Sequence, residues 1–162
     1  MTDDERRESR WIGMAGFAGG LAGLVLGVIG LWAARQREAL TGGPDGLIAG
    51  AIGAAILGYT VGMIGAAART PNRAGLVGAC VVGLPTLLWC STQHELIEAQ
   101  LWRFAGFASL GSILCQVGAV ASGTAACGTK QPEKIQFTVR QFLMFFIPVA
   151  IYFGYLSTLM RQ

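Results

Sequence analysis

The positions of the charged residues constrain this chain more than any other feature of its sequence. Five windows contain no Asp, Glu, Lys or Arg: 11–34, 46–68, 74–93, 104–129 and 141–160. A helix rises about 1.5 Å per residue, so about 20 apolar residues cross the roughly 30 Å hydrocarbon core of a bilayer. Every window is that long. The windows predict five transmembrane helices and leave too little chain for a separate soluble domain, which excludes a soluble enzyme and a nucleic-acid-binding module.

We therefore predict a single all-α integral membrane domain over 1–162, a five-helix bundle whose partner is the lipid bilayer. Charged residues make up 13% of the chain, about half of their share in soluble domains. Of the 12 Lys and Arg residues, eight belong to segments on the amino-terminal side of such a bundle and four to segments on the other side. Loops rich in Lys and Arg stay in the cytoplasm. We expect a cytoplasmic tail at 1–10 and an exterior carboxyl terminus.

Glycine spacing indicates how the predicted helices pack. Of the 24 glycines, 15 lie between Gly13 and Gly65, many of them in steps of three or four that keep them along one side of a helix. Such stripes of small residues let membrane helices approach closely. The residues that we expect at these contacts are glycines of the first two windows: Gly16, Gly20, Gly23, Gly27, Gly50, Gly58 and Gly62. Two interpretations remain open: packing within one chain, which we favour, and lateral assembly into a homo-oligomer or a larger membrane complex.

The chain also resembles itself at an offset of 57 residues. The Leu-Trp pair at 31–32 recurs at 88–89, within an alignment that needs no gap. We interpret 11–68 and 74–129 as two copies of a two-helix unit, followed by one extra C-terminal helix. Because each copy crosses the membrane an even number of times, the copies would be parallel repeats. Chance identity in a chain rich in small and aliphatic residues is the alternative.

Polar residues follow the Leu-Trp pair in both copies. Gln36 and Glu38 correspond to Gln93 and Glu95 at the offset of 57. These four side chains would lie just outside the membrane, where they form either a weakly acidic vestibule that attracts cations or an ordinary solvated helix end. We favour the solvated helix end, because tryptophan and charged residues are common anchors at the interface.

A second group of polar residues lies near the centres of two windows. Tyr59 and Thr60 are close to the middle of 46–68, and Gln116, the equivalent of Tyr59 at the offset of 57, is at the middle of 104–129. An amide without a partner in hydrocarbon is costly. We expect Gln116 to form a hydrogen bond between helices, to Tyr59 or Thr60, and we keep a solute or ion pathway as the alternative.

No charged residue and no histidine lies inside any window, which argues against proton-coupled carriers and voltage sensors. The single histidine, His94, falls in a run with Cys90 and Glu98 at spacings of four, but a metal site normally needs more ligands nearby. We therefore predict no metal, no cofactor and no catalytic residue, and we do not expect an enzyme. The first functional hypothesis is a small multi-pass membrane protein with a structural or assembly role; the alternative is a passive channel or facilitator for a small solute or cation.

Overall fold

A computed structural model describes residues 3–35, 44–68, 71–92, 97–127 and 139–161. These residues form five α-helices, and none of them is in a β-strand. The helices are α1 (Asp3–Arg35), α2 (Pro44–Ala67), α3 (Pro71–Ser91), α4 (Ile97–Cys127) and α5 (Val139–Arg161). The prediction of five helices in an all-helical chain is therefore confirmed. Helix α1 begins at Asp3, so most of the segment that the sequence assigned to a tail is helical.

The ends of the helices follow from local chemistry. Helices α2 and α3 each begin at a proline, Pro44 and Pro71, because the first helical position needs no N–H donor and the fixed φ of proline suits it. Helix α1 ends at Arg35, and α4 has Glu98 in its first turn. The helix dipole favours a positive charge at the carboxyl end, as in α1, and a negative charge at the amino end, as in α4.

Two helical hairpins, α1–α2 and α3–α4, pack against each other, and α5 lies against them. Helix α4 contacts all four other helices and is the centre of the bundle. The largest side chains that are completely buried lie there or on the facing side of α2: Leu114, Cys115 and Val61. The core is thus built around α4 and contains few large residues, because much of the contact between helices is made by glycine.

The outside of the bundle is apolar. Large hydrophobic side chains such as Leu76, Leu88 and Ile97 are at least 70% exposed, which a protein in water would not tolerate over so many positions. Four of the helices contain segments long and apolar enough to cross a membrane: Arg10–Arg35, Gly46–Ala67, Pro71–Ser91 and Ile97–Ser122. In α5 the side chains that the structure describes include a shorter apolar segment, Phe145–Met160. The fold is a helical bundle whose length and surface suit a bilayer.

Candidate functional site

Helices α1 and α2 are in close contact through glycine. A Cβ atom placed on Gly19 would collide with the carbonyl oxygen of Gly58 and would lie 2.8 Å from Cα of Gly62. A Cβ atom on Gly23 would collide with the carbonyl oxygen of Ala54 and would lie 2.9 Å from Cα of Gly58. Since the obstacles are backbone atoms, neither helix can relieve the collision by turning a side chain. The two backbones are in direct contact, which gives dense packing where lipid supplies no hydrophobic force.

The glycines expected at helix contacts occupy different environments. Gly58 and Gly62 face the backbone of α1, and Gly23 and Gly27 face α2 near Ala54. Gly16 lies under the side chains of Tyr59 and Met63, and Gly50 lies under that of Leu31. Gly20 has more room, because its nearest obstacle would be 3.5 Å from a Cβ atom. Gly19 is not among the glycines expected at helix contacts, although a Cβ atom on it would collide with the backbone of α2; its signal in the sequence was its spacing of four from Gly23.

Glycine also brings α4 close to α3 and α2. A Cβ atom on Gly78 would collide with the carbonyl of Gly111 in α4, and one on Gly118 would collide with the carbonyl of Gly62 in α2. Beside this second contact, the thiol of Cys115 donates a hydrogen bond to the carbonyl oxygen of Val61 over 3.1 Å. These contacts fix the position of α4 between α3 and α2.

Gln116 is buried at the α3–α4 interface. Its side chain is 4% exposed, and it follows Ser109 (6%) and Ser112 (7%) along one side of α4. A Cβ atom on Gly75 of α3 would collide with Nε2 of Gln116 and would lie 3.0 Å from Oγ of Ser112. Gly75 therefore makes the room that the amide needs. Gln116 and Ser112 face α3, and with Ser109 they form a buried polar row along α4.

Tyr59 and Thr60 lie elsewhere. The ring of Tyr59 covers Gly16 at the α1–α2 interface and is 43% exposed. The hydroxyl of Thr60 donates to carbonyl oxygens of its own helix, at 2.9 Å to Leu57 and 3.2 Å to Ile56. The structure thus places Tyr59 against α1 and Gln116 against α3, at different helix interfaces. The proposed vestibule residues Gln36, Glu38, Gln93 and Glu95, and also His94, lie outside the described residues.

Tyrosines attach α5 to the bundle. The hydroxyl of Tyr152 donates a hydrogen bond of 2.9 Å to the carbonyl oxygen of Leu26 in α1. It reaches this atom over Gly30, where a Cβ atom would lie 3.1 Å from the hydroxyl oxygen. The ring of Tyr155 occupies the space beside Gly106 of α4. Each tyrosine is therefore matched by a glycine on the opposite helix.

Two grooves open on the bundle at opposite ends of α1. The first, which we call the four-helix groove, lies between α1, α2, α4 and α5 and has a volume of about 350 Å³. Its walls include Gly53, Phe107 and Tyr155, and none of its lining residues is charged. The second, which we call the Arg10 groove, lies between α1 and the later part of α4 and has a volume of about 530 Å³. Neither groove is lined by Tyr59 or Gln116.

Together these features define a glycine-packed helical bundle suited to a membrane, and its described residues include a buried polar row and the two grooves named above. Within the part of the chain that the structure describes, no three His, Cys, Asp or Glu side chains are grouped so as to hold a metal ion. Comparisons with known protein families, with curated proteins and with solved structures find no match to this chain.

Proposed function

We propose that this chain is a small multi-pass membrane protein with a structural or assembly role, a subunit that associates with further membrane helices. The observation that carries the proposal is that its glycines divide into two sets. The first set packs against the backbone of the facing helix within the chain; it consists of Gly19, Gly23, Gly58 and Gly62. A second set on α2 has open space beside it.

The open set lies on the first half of α2. Cβ atoms on Gly46 and Gly53 would meet nothing within 4 Å. These two glycines are seven residues apart, so they lie along one side of the helix; Gly50, which falls between them, is covered by the side chain of Leu31. Ile52 and Ile56 beside them are 55% and 60% exposed. A surface of small residues flanked by aliphatic ones is what a second membrane helix needs for close approach.

The shape of the bundle supports the same role. Gly53 also lines the four-helix groove, whose walls are apolar apart from the tyrosine hydroxyls. Large side chains from a neighbouring helix would fit beside Gly53, and dispersion contacts would replace those made with mobile lipid chains. The first half of α2 is therefore the surface on which we place the contact between subunits.

The assembly role is tested by filling the open surface without disturbing the fold. We expect native mass measurement in mild detergent to find wild-type protein in complexes larger than a monomer, and we expect Gly53→Leu to release the monomer. Leucine at this position has room within the chain and is a better helix former than glycine, so folding should be preserved.

Gly154→Leu is the matched control, because a Cβ atom on Gly154 of α5 also meets nothing within 4 Å. It should leave the complexes intact. A wild-type protein that is monomeric both in detergent and after cross-linking in its own membrane would contradict the proposal. So would an equal loss of complexes in the two variants.

The internal duplication gains support from the register of the two hairpins. Adding 57 to the contact between Gly23 and Ala54 gives positions 80 and 111, and the observed contact is between Gly78 and Gly111. Adding 57 to the contact between Gly19 and Gly58 gives 76 and 115, and Gly78 also lies against Cys115. Both pairs agree within two residues, as expected of two copies of one hairpin.

A passive channel or facilitator is the alternative proposal, and the buried polar row on α4 is the feature that favours it. Such a pathway would run between the hairpins or through an oligomer, past Gln116. The close burial of this side chain against Gly75 fits a packing contact better than a water-filled path. Potassium flux into liposomes separates the two: flux that Gln116→Leu abolishes in a stably folded protein would favour the channel, and absence of flux would favour the structural role.

A further inference from the structure

We propose that the Arg10 groove binds one anionic phospholipid, with the phosphate on the Arg10 guanidinium and an acyl chain along the groove. The groove is lined by Arg10, Gly13, Met14, Phe17, Ala18 and Ala121. Among the lining residues that the structure describes, Arg10 at one end is the one cation and the others are apolar. The groove therefore has a charged end that matches a phosphate headgroup and an apolar part that matches an acyl chain.

The depth of the groove in the membrane fits this ligand. The apolar segment of α1 begins at Arg10, so its guanidinium lies at the level where headgroups are found. Arg10 is exposed, and guanidinium binds phosphate through two parallel hydrogen bonds. Gly13, Met14 and Phe17 follow at helical spacings of three, four and seven, on the same side of α1 and progressively deeper in the hydrocarbon. One lipid molecule would therefore meet charge first and apolar groups below it.

The sequence supplies further positive charge at this end. Arg6 and Arg7 precede Arg10 by four and three residues in the same helix, which is one turn. Basic residues near a membrane surface attract anionic lipids by about 1 kcal/mol each. Acidic residues Asp3, Asp4, Glu5 and Glu8 are also present in this segment, so the attraction has to come from the local contact at the groove rather than from the net charge of the tail.

The space in the groove is created by small residues. A Cβ atom on Gly13 would meet nothing within 4 Å, and Ala18 and Ala121 present only methyl groups. An acyl chain there gains dispersion contacts with two helices, and it fills a gap that side chains leave empty. The groove joins α1 to α4, so a bound lipid would also hold these two helices together.

The test uses the full-length protein, delipidated in mild detergent, with native mass measurement after addition of phosphatidylglycerol, phosphatidylcholine or glycerol phosphate. We expect phosphatidylglycerol to bind at least fivefold more tightly than phosphatidylcholine. Arg10→Gln should remove this preference, since one basic contact corresponds to about a fivefold change in affinity. Gly13→Leu should weaken the binding of both lipids, because the leucine side chain fills the groove without a collision.

Arg35→Gln is the matched control, since Arg35 is exposed at the other end of α1 and outside the groove. It should bind phosphatidylglycerol as the wild type does. Equal affinity for the two lipids, equal effects of Arg10→Gln and Arg35→Gln, or binding of glycerol phosphate as tight as that of the lipid would overturn the proposal. Dimers of the delipidated protein that Gly13→Leu abolishes would overturn it in favour of a second copy in the groove.

Discussion

A single hydroxyl group links the last helix to the first. Tyr152 donates to the carbonyl oxygen of Leu26, and Gly30 leaves the space through which the hydroxyl reaches it. A backbone carbonyl in a helix already accepts one bond from its own chain, and its second lone pair is free for a side chain. This contact is specific in geometry, although neither residue is charged.

We predict that Tyr152→Phe lowers the free energy of unfolding by about 0.6 to 2 kcal/mol, the range for hydrogen bonds between membrane helices. The ring stays in place, so the change reports the hydroxyl alone. Unfolding in mixed detergent micelles, followed by circular dichroism, measures it. Tyr59→Phe is the control, because the hydroxyl of Tyr59 makes no hydrogen bond to the described part of the chain; it should change stability by less than Tyr152→Phe does.

Gly30→Ala tests the same contact from the other helix. The added methyl group would stand 3.1 Å from the tyrosine oxygen, so the hydroxyl has to move away from Leu26. If the contact is as described, Gly30→Ala and Tyr152→Phe together cost less than the sum of the two single changes. Strict additivity would show that the glycine and the tyrosine act independently.

The sequence predicted a hydrogen bond between helices for Gln116 but not for Tyr152, and the difference has a physical reason. An amide at the centre of an apolar window needs a partner in hydrocarbon, so its importance is visible in the sequence. The partner of Tyr152 is a backbone oxygen, which every residue has and which leaves no mark in the sequence. For Gln116 the sequence also suggested a partner in α2, whereas its side chain lies against Gly75 of α3; which helix faces it depends on rotation of α4.

At the scale of the helix, adjacent glycines have unequal roles. Gly19 stands against the backbone of α2, whereas the nearest obstacle to a Cβ atom on Gly20 is 3.5 Å away. Neighbouring residues on a helix are separated by about 100° of rotation, since 3.6 residues complete a turn. A shift of one position along α1 therefore determines whether an added methyl group lies inside the helix contact or at its edge.

We predict that Gly19→Ala destabilises the bundle by about 1 to 3 kcal/mol, as overpacking in a rigid core does, because α1 and α2 have to separate. Gly20→Ala should be neutral or stabilising, since alanine is a better helix former by about 1 kcal/mol and meets no close obstacle. Thermal unfolding of the two variants in one detergent gives the comparison. Equal losses of stability in the two variants would mean that α1 is rotated differently against α2 from the arrangement described.

The positions of the helices were predictable, whereas their registers were not. Charged residues are excluded from hydrocarbon, so the charge-free windows predict where the helices lie. A stripe that alternates steps of three and four fits either Gly19 or Gly20, because each of them lies three or four residues from both Gly16 and Gly23. The choice depends on the carbonyl oxygens of the facing helix, such as that of Gly58, which the sequence of α1 does not contain.

At the scale of the whole molecule, the start of α1 and the end of α5 lie at opposite ends of the bundle. Ala34 near the end of α1 and Leu159 near the end of α5 line the same groove, while Arg10 lies beside Ala121 at the other end. Helix α5 therefore runs in the same direction as α1. In a bundle with five crossings, the first and fifth helices run in the same direction. Whether α5 crosses the membrane therefore determines whether the bundle has five crossings or four.

The topology of the bundle depends on whether helix α5 crosses the membrane. Among the residues whose side chains the structure describes, its apolar segment is Phe145–Met160. The charge-free window 141–160 that contains this segment has 20 residues and extends about 30 Å as a helix, which matches the hydrocarbon core. The full helix, Val139–Arg161, has 23 residues, which is long enough to cross the hydrocarbon core. We therefore expect α5 to span the bilayer.

The prediction is that a tag after Gln162 is removed by a membrane-impermeant protease applied to intact cells, whereas a tag before Met1 is removed only after permeabilisation. The excess of Lys and Arg on the amino-terminal side, eight against four, sets this orientation, since positive loops resist translocation. A tag within the loop between α1 and α2 is the control and should be cleaved in intact cells. Protection of both termini together with cleavage of that loop would mean four crossings, with α5 lying along the cytoplasmic surface; cleavage at the amino terminus alone would mean that the charge balance does not orient this bundle.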